Sequence, residues 1–393
     1  MPQTEALRVG VVGAGARAKL ALCALESSVP ARIVGIADTA EQGRARAVEL
    51  FGGAPAVVAG VGELIDLGID VAFITTPDHT HADIAIRLLR AGVAVYLEKP
   101  LAITIESADA VLHAAHESGS KLYVGHNMRH MPVVRLMQRL IREGAIGEVK
   151  AVWCRHFVGN GGDYYFKDWH AERAKTTGLL LQKGAHDIDV IHWLAGGYSV
   201  DVTGMGDLMV YGGIPDRADN SGRVMQDWFS YDNWPPATQT GLNPVIDVED
   251  VSMVSLRLDN GVLASYEQCH FTPDYWRNYT VIGTAGRLEN FGDGEGGVVR
   301  VWDHRTGYSA DGDRTYPIPA GEGGHNGADQ LTVDEFLRFV RDGSATDTSP
   351  VAARNAVAAG VCATDSLRSG SAPQQVPALD SSLLDYFARG QKS

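Results

Sequence analysis

A lysine that follows a short apolar strand pattern has the clearest chemical potential in the first third of the chain. Residues 93–97 (VAVYL) predict the strand, and Glu98-Lys99-Pro100 comes directly after it. In an open α/β sheet, ligands bind beyond the carboxyl ends of the strands, so an amine at this position would face a ligand. A lysine amine can hold an oxygen that gains negative charge and can exchange a proton with it. We therefore predict that Lys99 is catalytic, whereas Glu98 is more readily explained by a structural salt bridge.

A second polar group lies in a helix predicted over residues 178–194. Gln182, Lys183, His186 and Asp189 fall at i, i+1, i+4 and i+7, which places them on one stripe beside an apolar face. An imidazole can titrate near neutral pH, so we predict general acid/base chemistry for His186. Gln182 and Lys183 are predicted to bind the substrate.

A glycine-rich turn near the N-terminus predicts a dinucleotide site. Gly13-x-Gly15-x-x-Ala18 follows the strand pattern 7–12 (LRVGVV) and opens a helical stretch. The two glycines allow a tight turn and a close approach to a pyrophosphate, and the small third residue lets helix and strand pack. Asp38, at the end of the second strand pattern, would bond the ribose hydroxyls and repel a 2′-phosphate. The expected cofactor is therefore NAD, with NADP less favoured.

Further segments lie where that cofactor would be bound. The segment from Thr75 to His81 follows the fourth strand pattern and is predicted to border the cofactor, although capping of the next helix explains His79 equally well. Arg44 is predicted to face solvent on the helix after Asp38. The cofactor-binding candidates are Gly13, Gly15, Ala16, Arg17, Ala18, Asp38, Thr75, Thr76, Pro77, His81, Glu98, Lys99 and Asn127.

Strand and helix patterns alternate through the first part of the chain, which predicts an α/β fold with a doubly wound, mainly parallel sheet. The second part is dominated by strand patterns separated by turns such as Asp259-Asn260-Gly261, which predicts a large, open, mainly antiparallel sheet. Strand patterns there include 200–211 and 279–282, and residues 213–248 are predicted to form a long loop. We predict two domains, a dinucleotide-binding domain over 1–126 and a substrate-binding and oligomerisation α/β domain over 127–393.

The composition of the 393-residue chain is that of a globular protein, with 45% apolar and 21% charged residues. Its net charge of −14, without any basic run, argues against nucleic-acid and anionic-membrane partners. The four cysteines lack CxxC spacing and indicate reduced thiols. We expect no metal site, since His113 and His116 have no further ligands beside them. With no basic leader or long apolar run visible, the expected location is the cytoplasm.

Taken together, these motifs resemble the Gfo/Idh/MocA family (glucose–fructose oxidoreductase, inositol dehydrogenase, rhizopine catabolism). The resemblance implies a Rossmann domain joined to a C-terminal α/β domain whose sheet serves oligomerisation, here as a homodimer or homotetramer. The family lysine falls on Lys99 and the family histidine on His186, whereas Gln182 stands where many members carry aspartate. The resemblance rests on the glycine loop, the Thr-Thr-Pro segment, Glu98-Lys99-Pro100, His186-Asp187-Ile188-Asp189 and residues 324–329 (GHNGAD).

The resemblance implies hydride transfer between NAD(P) and a hydroxyl or ketone carbon of a sugar, cyclitol or sugar derivative. In the implied mechanism, His186 takes the hydroxyl proton while Lys99 holds the same oxygen. Two alternatives stay open. One is a glycosidase that uses NAD for transient oxidation and elimination, and the other is a non-catalytic NAD-binding regulator.

An aromatic segment, 164–170 (YYFKDWH), is the predicted lining of the sugar site. Its rings would stack on the sugar and its polar groups would bond the hydroxyls, while aromatic packing under a loop is the alternative. We expect segments 160–175 and 213–248 to set the stereochemical choice. The substrate-binding candidates in this region are Tyr165, Asp168, Trp169 and Arg173.

Overall fold

The computed structural model describes residues 5–392, which form two β-sheets with helices packed around them. The first sheet has six parallel strands in the order β3-β2-β1-β4-β5-β6. Most of its central strand residues are buried on both faces, which explains their continuous apolar runs. The strands are β1 (Leu7–Val12), β2 (Ala31–Ala37), β3 (Ala56–Val58), β4 (Val71–Ile74), β5 (Ala94–Leu97) and β6 (Leu122–Val124).

Helices connect the parallel strands, and the strand order reverses direction between β1 and β4. Such a reversal opens a crevice at the carboxyl ends of the strands, where open α/β sheets bind their ligands. The predicted N-terminal doubly wound parallel sheet is therefore confirmed. The helices of this part and of the link to the second sheet are α1 (Glu41–Phe51), α2 (Val61–Asp66), α3 (His81–Arg90), α4 (Ile105–Ser118) and α5 (Pro132–Arg142).

The second sheet has nine strands in the order β14-β13-β12-β11-β7-β10-β9-β8-β15, and only the β7–β10 pair is parallel. Buried and exposed residues alternate along its central strands, so one face packs on helices and the other is exposed. The predicted large, mainly antiparallel sheet is confirmed. Its strands are β7 (Val149–Phe157), β8 (Ser199–Asp207), β9 (Val251–Leu258), β10 (Leu263–Cys269), β11 (Trp276–Gly283), β12 (Gly286–Phe291), β13 (Val298–Trp302), β14 (Arg314–Pro317) and β15 (Gln374–Gln375).

The later helices divide between the two sheets. α11 packs against α8, α9 and β8, whereas α10 packs on the first sheet, where the Phe336 ring lies 5.6 Å from those of Phe73 and Tyr96. The predicted domain ranges stay a prediction, and their outermost residues, 1–4 and 393, lie outside the described residues. These helices are α6 (Gly161–Tyr165), α7 (Arg173–Thr176), α8 (Leu179–Gln182), α9 (Gly184–Ala195), α10 (Ala328–Asp342), α11 (Pro350–Arg368) and α12 (Ser381–Ala388). No helix within residues 5–392 is long and apolar enough to cross a membrane.

Two predicted elements differ from the structure. The helix predicted over 178–194 is two helices, α8 and α9, which meet at Lys183. The strand predicted over 200–211 ends at Asp207, because the backbone N–H groups of residues 209–211 donate to the carboxylate of Asp250 instead of to a neighbouring strand. β12, β14 and β15 were not predicted, because their residues are too polar to produce an apolar strand signal.

Candidate active site

Lys99 follows β5 and connects the first sheet to the helices of the second. Its Nζ donates a hydrogen bond to the backbone carbonyl of Gln182, at 3.0 Å. Burial lowers the pKa of Lys99, and the carboxylates of Asp78 and Glu98 oppose that shift. Glu98 is paired with Arg17, with 2.6 Å between Oε1 and Nε, which is the salt bridge expected for it. The amine thus lies in a protein-enclosed position with two acids nearby.

His186 lies in the first turn of α9, one turn after the joint with α8. It is 9% exposed. Burial, together with the charges of Lys99 and Lys183, lowers the pKa of His186 well below that of an ordinary histidine. A neutral imidazole is the form that can accept a proton, so this environment suits a general base at neutral pH. The structure therefore brings together Lys99, Gln182, Lys183 and His186.

The acid that follows the candidate histidine anchors α9 to the second sheet. Asp187 is fully buried, and its carboxylate lies 3.0 Å from Arg277 Nε and 3.1 Å from His156 Nδ1. It also accepts hydrogen bonds from the hydroxyls of Tyr266, at 3.1 Å, and Tyr279. Burial raises the pKa of Asp187, but Arg277 and His156 more than offset this and hold it well below its usual range. The sequence showed the acid but not its partners, which come from three separate strands.

Arg277 is a second cation that affects the pKa values in the candidate site. It was not predicted from the sequence. Burial and the charges of Arg277 and Lys99 lower the pKa of Lys183 well below that of an ordinary lysine. The ring of Tyr165 lies 5.5 Å from Lys183 Nζ, which gives this cation an aromatic neighbour. Arg277 was missed because the strand pattern was recognised only from residue 279 onward.

Asp189 lies one turn after His186 in α9 and is buried. Arg129 binds its carboxylate through two nitrogens, each at 2.7 Å, and His126 Nδ1 lies 3.4 Å away. The ring of His126 lies 6.2 Å from the ring of His186. Asp189 is therefore held by Arg129 and lies near His126, and His126 is the neighbour of His186.

Asp78 is a buried acid beside Lys99 that was not among the candidate residues. It is 3% exposed, and its Oδ2 has no hydrogen-bond partner among the described residues. Burial raises the pKa of Asp78, whereas the charges of His81 and Lys99 and a hydrogen bond from the Gln182 side chain oppose the shift. A carboxylate therefore lies near the lysine although position 182 carries an amide.

The glycine loop has the geometry that a dinucleotide requires. Gly13 has φ +90°, and a Cβ there would lie 2.7 Å from Thr76 Cγ2, so a side chain is excluded. A Cβ on Gly15 would meet nothing within 4 Å, so that backbone faces open space. Asp38 ends β2, and its Oδ2 accepts the Ala14 N–H at 2.8 Å. These residues fit a pyrophosphate beside the loop and a ribose beside the acid.

Arg44 differs from its predicted solvent-facing position. It is half-buried, and its guanidinium donates to the backbone carbonyls of Asp38 and Thr39, each at 2.9 Å. This contact keeps the cation beside the adenosine end of the predicted site. Thr75 supports the other side of the loop, because its hydroxyl donates to the carbonyl of Gly13 at 2.8 Å.

Arg17 and Asn127, two cofactor candidates, share one carboxylate from the C-terminal part of the chain. Arg17 donates to both oxygens of Asp329, at 2.7 and 2.8 Å, and Asn127 Nδ2 donates to Oδ1 at 2.9 Å. Nδ1 of His325 lies 3.1 Å from the same carboxylate. Arg17 thereby holds the glycine loop against the start of α10.

His81 connects two loops that border the site. Its Nδ1 lies 2.8 Å from the carbonyl oxygen of Pro100, and its Nε2 lies 2.9 Å from that of Thr76. The two ring nitrogens are thus engaged with backbone of the segments that carry Lys99 and Pro77. The geometry gives His81 a positioning role between the two segments.

The aromatic candidates pack beside the site. Tyr165 is buried beside Lys183, and Trp169 stacks on His170 with the ring centroids 3.7 Å apart. Asp168 caps the turn at Trp169–Ala171 and lies 2.5 Å from His170 Nδ1. Aromatic packing under a loop is therefore present, and Tyr165 lies near the charged cluster.

Arg173 is engaged with a different segment. Its guanidinium donates to the Asp247 carbonyl at 2.8 Å and lies 3.7 Å from a carboxylate oxygen of Glu249. It also lines a surface cavity of about 340 Å³ beside Arg368 and Asp207. These contacts favour a structural role for Arg173 over a sugar contact.

Two sets of possible metal ligands lie outside the candidate active site within residues 5–392. One comprises His130, Glu335 and Asp347, and the other is an exposed set of Asp303, His304 and Asp313. Arginines lie 2.6 Å from Asp347 and 2.5 Å from Asp303, so cationic side chains already balance these carboxylates.

Comparison with known families identifies the class of protein. Residues 7–126 match the NAD-binding Rossmann-fold model of the GFO/IDH/MocA oxidoreductase family, and residues 134–289 match the family's C-terminal domain. The protein is an NAD-binding oxidoreductase with sugar and cyclitol dehydrogenases among its relatives. The chain belongs to the Gfo/Idh/MocA family.

Three relatives are 27–29% identical to this chain over the residues that align. Inositol 2-dehydrogenase of Rhizobium meliloti is 29% identical, over 54% of this chain and 62% of its own. Levoglucosan dehydrogenase of Pseudarthrobacter phenanthrenivorans is 29% identical over 72% of this chain and 73% of its own. The scyllo-inositol 2-dehydrogenase (NAD(+)) of Bacillus subtilis is 27% identical over 78% of each chain.

A solved structure shares the fold over nearly the whole chain. Levoglucosan dehydrogenase in complex with NADH and levoglucosan superimposes with a TM-score of 0.75 at 22% identity. The superposition covers 95% of this chain and 100% of the other. At this identity the similarity establishes the shared architecture of the two chains.

Proposed function

We propose that the protein is an NAD-dependent dehydrogenase that transfers a hydride between nicotinamide and a secondary hydroxyl or ketone carbon of a sugar, cyclitol or sugar derivative. The main support is the cluster of Lys99, Lys183 and His186 at the carboxyl ends of an NAD-binding sheet, where Lys99 and the segment at Gln182 meet. The sugar and inositol dehydrogenases among the relatives favour the same substrate class.

The proposed mechanism divides proton and charge handling between two residues. His186, neutral because of its surroundings, accepts the proton of the substrate hydroxyl. Lys99 Nζ donates a hydrogen bond to the same oxygen and stabilises the negative charge that develops on it. Gln182 has no titratable proton and orients the substrate or Asp78. The nicotinamide, when bound, takes up the hydride from the carbon.

The proposal extends to the cofactor and the assembly. Asp38 at the end of β2 favours NAD, because a carboxylate repels the 2′-phosphate of NADP. Gly13, Gly15 and the Thr75–Pro77 segment would hold the phosphates and border the nicotinamide. We assign residues 1–126 to the cofactor domain and 127–393 to a domain that binds substrate and forms homo-oligomers.

A panel of sugars and cyclitols, each assayed with NAD and with NADP by NADH or NADPH absorbance, tests the proposal. We expect turnover with at least one polyol and a preference for NAD. Release of free sugar from a glycoside without net NADH would instead support the glycosidase alternative. NAD binding without turnover of any polyol would contradict the proposed dehydrogenase and favour the regulator.

A further inference from the structure

The excursion between β8 and β9 carries an aromatic segment, residues 228–234 (WFSYDNW), that the candidate site does not use. Tyr231 is 81% exposed, Trp234 is 42% exposed and Phe229 is half-buried. Serine, aspartate and asparagine stand between these rings. Segment 228–234 therefore mixes aromatic and polar residues, including a charged aspartate. The core of a protein interface, by contrast, is depleted of charged residues.

This segment is held in a fixed place by one buried acid. Asp163 is 2% exposed, and its carboxylate accepts hydrogen bonds from Asn233, at 2.7 Å, and Gln239, at 3.3 Å. The carbonyl of Asp163 accepts the indole N–H of Trp228 at 2.8 Å. Lys167 Nζ lies 3.2 Å from the same carboxylate and balances its charge. The residues on either side of Phe229 and Tyr231 are therefore fixed, which reduces the entropy lost when a ligand binds to this segment.

A continuous series of aromatic rings connects the excursion to the candidate site. It starts at Tyr165, which lies over Lys183. The ring centroids of Tyr165 and Tyr164 are 6.2 Å apart, and those of Tyr164 and Phe229 are 5.9 Å apart. Phe229 and Tyr231 follow at 5.1 Å. The series thus runs from a half-buried lysine to a ring that is almost fully exposed.

We propose that this series binds a second sugar ring, so that the preferred substrates are glycosides of two or more rings. The inference rests on the proposed sugar dehydrogenase function. One face of a pyranose presents C–H groups, which pack against the electron-rich face of an aromatic ring. Ser230 and Asp232, between the rings, can bond the hydroxyls at the edge of that sugar. The reacting ring would lie at Lys99 and His186, and the next ring would stack on Phe229 and Tyr231.

The test compares matched pairs of one-ring and two-ring substrates with the NAD-loaded full chain. The pairs are glucose with cellobiose, glucose with maltose, and myo-inositol with galactinol. For the pair that reacts, we expect the two-ring member to have the higher kcat/KM. Tyr231→Ala should lower the ratio of two-ring to one-ring kcat/KM roughly tenfold, the effect of losing one aromatic stacking contact. Tyr231→Phe keeps the ring and should keep the ratio.

Tyr308→Ala is the matched control, because Tyr308 is a surface tyrosine with 88% exposure outside the aromatic series. Circular dichroism of each variant confirms that it is folded. One-ring turnover without any two-ring preference overturns the inference and leaves the proposed function intact, whereas no turnover of any probe counts against the proposed function itself. A Tyr231→Ala variant with an unchanged ratio but a smaller mass by light scattering also overturns it, since the rings would then join copies of the chain.

Discussion

At the scale of single residues, we expect that no neighbouring side chain can replace the amine of Lys99 in catalysis. Lys99→Met keeps the apolar stem and removes the amine that would stabilise the substrate oxygen. We expect kcat to fall roughly 100- to 10,000-fold, because proton transfer and charge stabilisation are both weakened. NAD affinity, measured by fluorescence titration, should change little.

Lys150→Met is the control for this substitution, since Lys150 is exposed and pairs only with Glu148 on the surface. It should retain full kcat. A Lys99→Met variant that keeps both its NAD affinity and its turnover would show that another group stabilises the substrate oxygen. Loss of NAD binding together with turnover would mean that the lysine mainly supports the cofactor.

The charge of Lys183 gives a pH-dependent prediction. Lys183 is one of the cations that lower the pKa of His186, so Lys183→Met should raise that pKa. The base must be neutral to accept the hydroxyl proton, so oxidation is lost as the pH falls through its pKa. A raised pKa therefore moves the acid limb of kcat/KM to higher pH, by roughly one pH unit.

The measurement is kcat/KM for oxidation from about pH 8 down to the lowest pH at which the enzyme stays folded, because the pKa of His186 lies well below that of an ordinary histidine. Lys150→Met again serves as the control and should leave the limb in place. A limb that stays unchanged in a folded Lys183→Met variant would show that His186 is not the base that limits oxidation.

At the scale of elements, α9 is held to the second sheet by one buried carboxylate. Asp187→Ala would leave Arg277 buried without its counterion and would remove acceptors from Tyr266 and Tyr279. We expect a loss of about 3 to 5 kcal/mol in the free energy of unfolding, the usual effect of breaking a buried ion pair. Urea denaturation followed by circular dichroism measures it.

Asp311→Ala provides the matched case on the surface, where the carboxylate is 87% exposed and lies 3.5 Å from Arg300. Its effect should stay below about 1 kcal/mol, because exposed ion pairs contribute little. Equal effects of the two substitutions would mean that Asp187 is not desolvated as described.

The sequence predicted the elements whose signals are local. The apolar runs of β1, β4 and β5 and the glycine loop could be recognised from neighbouring residues alone. The break at Lys183 could not, because the helical spacing of polar and apolar residues continues through it. Asp78 was missed because nothing near it in the chain indicates that it lies beside Lys99.

At the scale of the whole molecule, the chain returns to its first sheet. After β14, α10 packs Phe336 on Phe73 and Tyr96, and Asp329 at its start binds Arg17 of the glycine loop. The sequence could not show which of the two sheets α10 covers. The cofactor loop is consequently supported by residues from both ends of the chain.

The exposed face of the second sheet provides a prediction about assembly. Trp153, Met205, Met253 and Leu263 each have half or more of their side-chain surface exposed, and strand register places them on one face of β7 to β10. Large exposed apolar side chains on one sheet face are typical of an interface, and the proposed occupant is a second copy of the chain. We expect the wild type to be a dimer or tetramer by light scattering at micromolar concentration.

Met253→Arg places a charge in the middle of that face and should shift the mass toward that of the 42.1 kDa chain, because buried interface cores exclude unpaired charges. Leu331→Arg adds the same charge at an exposed leucine of α10 and should leave the assembly intact. A monomeric wild type would contradict an interface on this face. An unchanged oligomer in Met253→Arg would place the interface elsewhere, since a desolvated arginine without a partner in a tightly packed sheet contact costs enough to separate the copies.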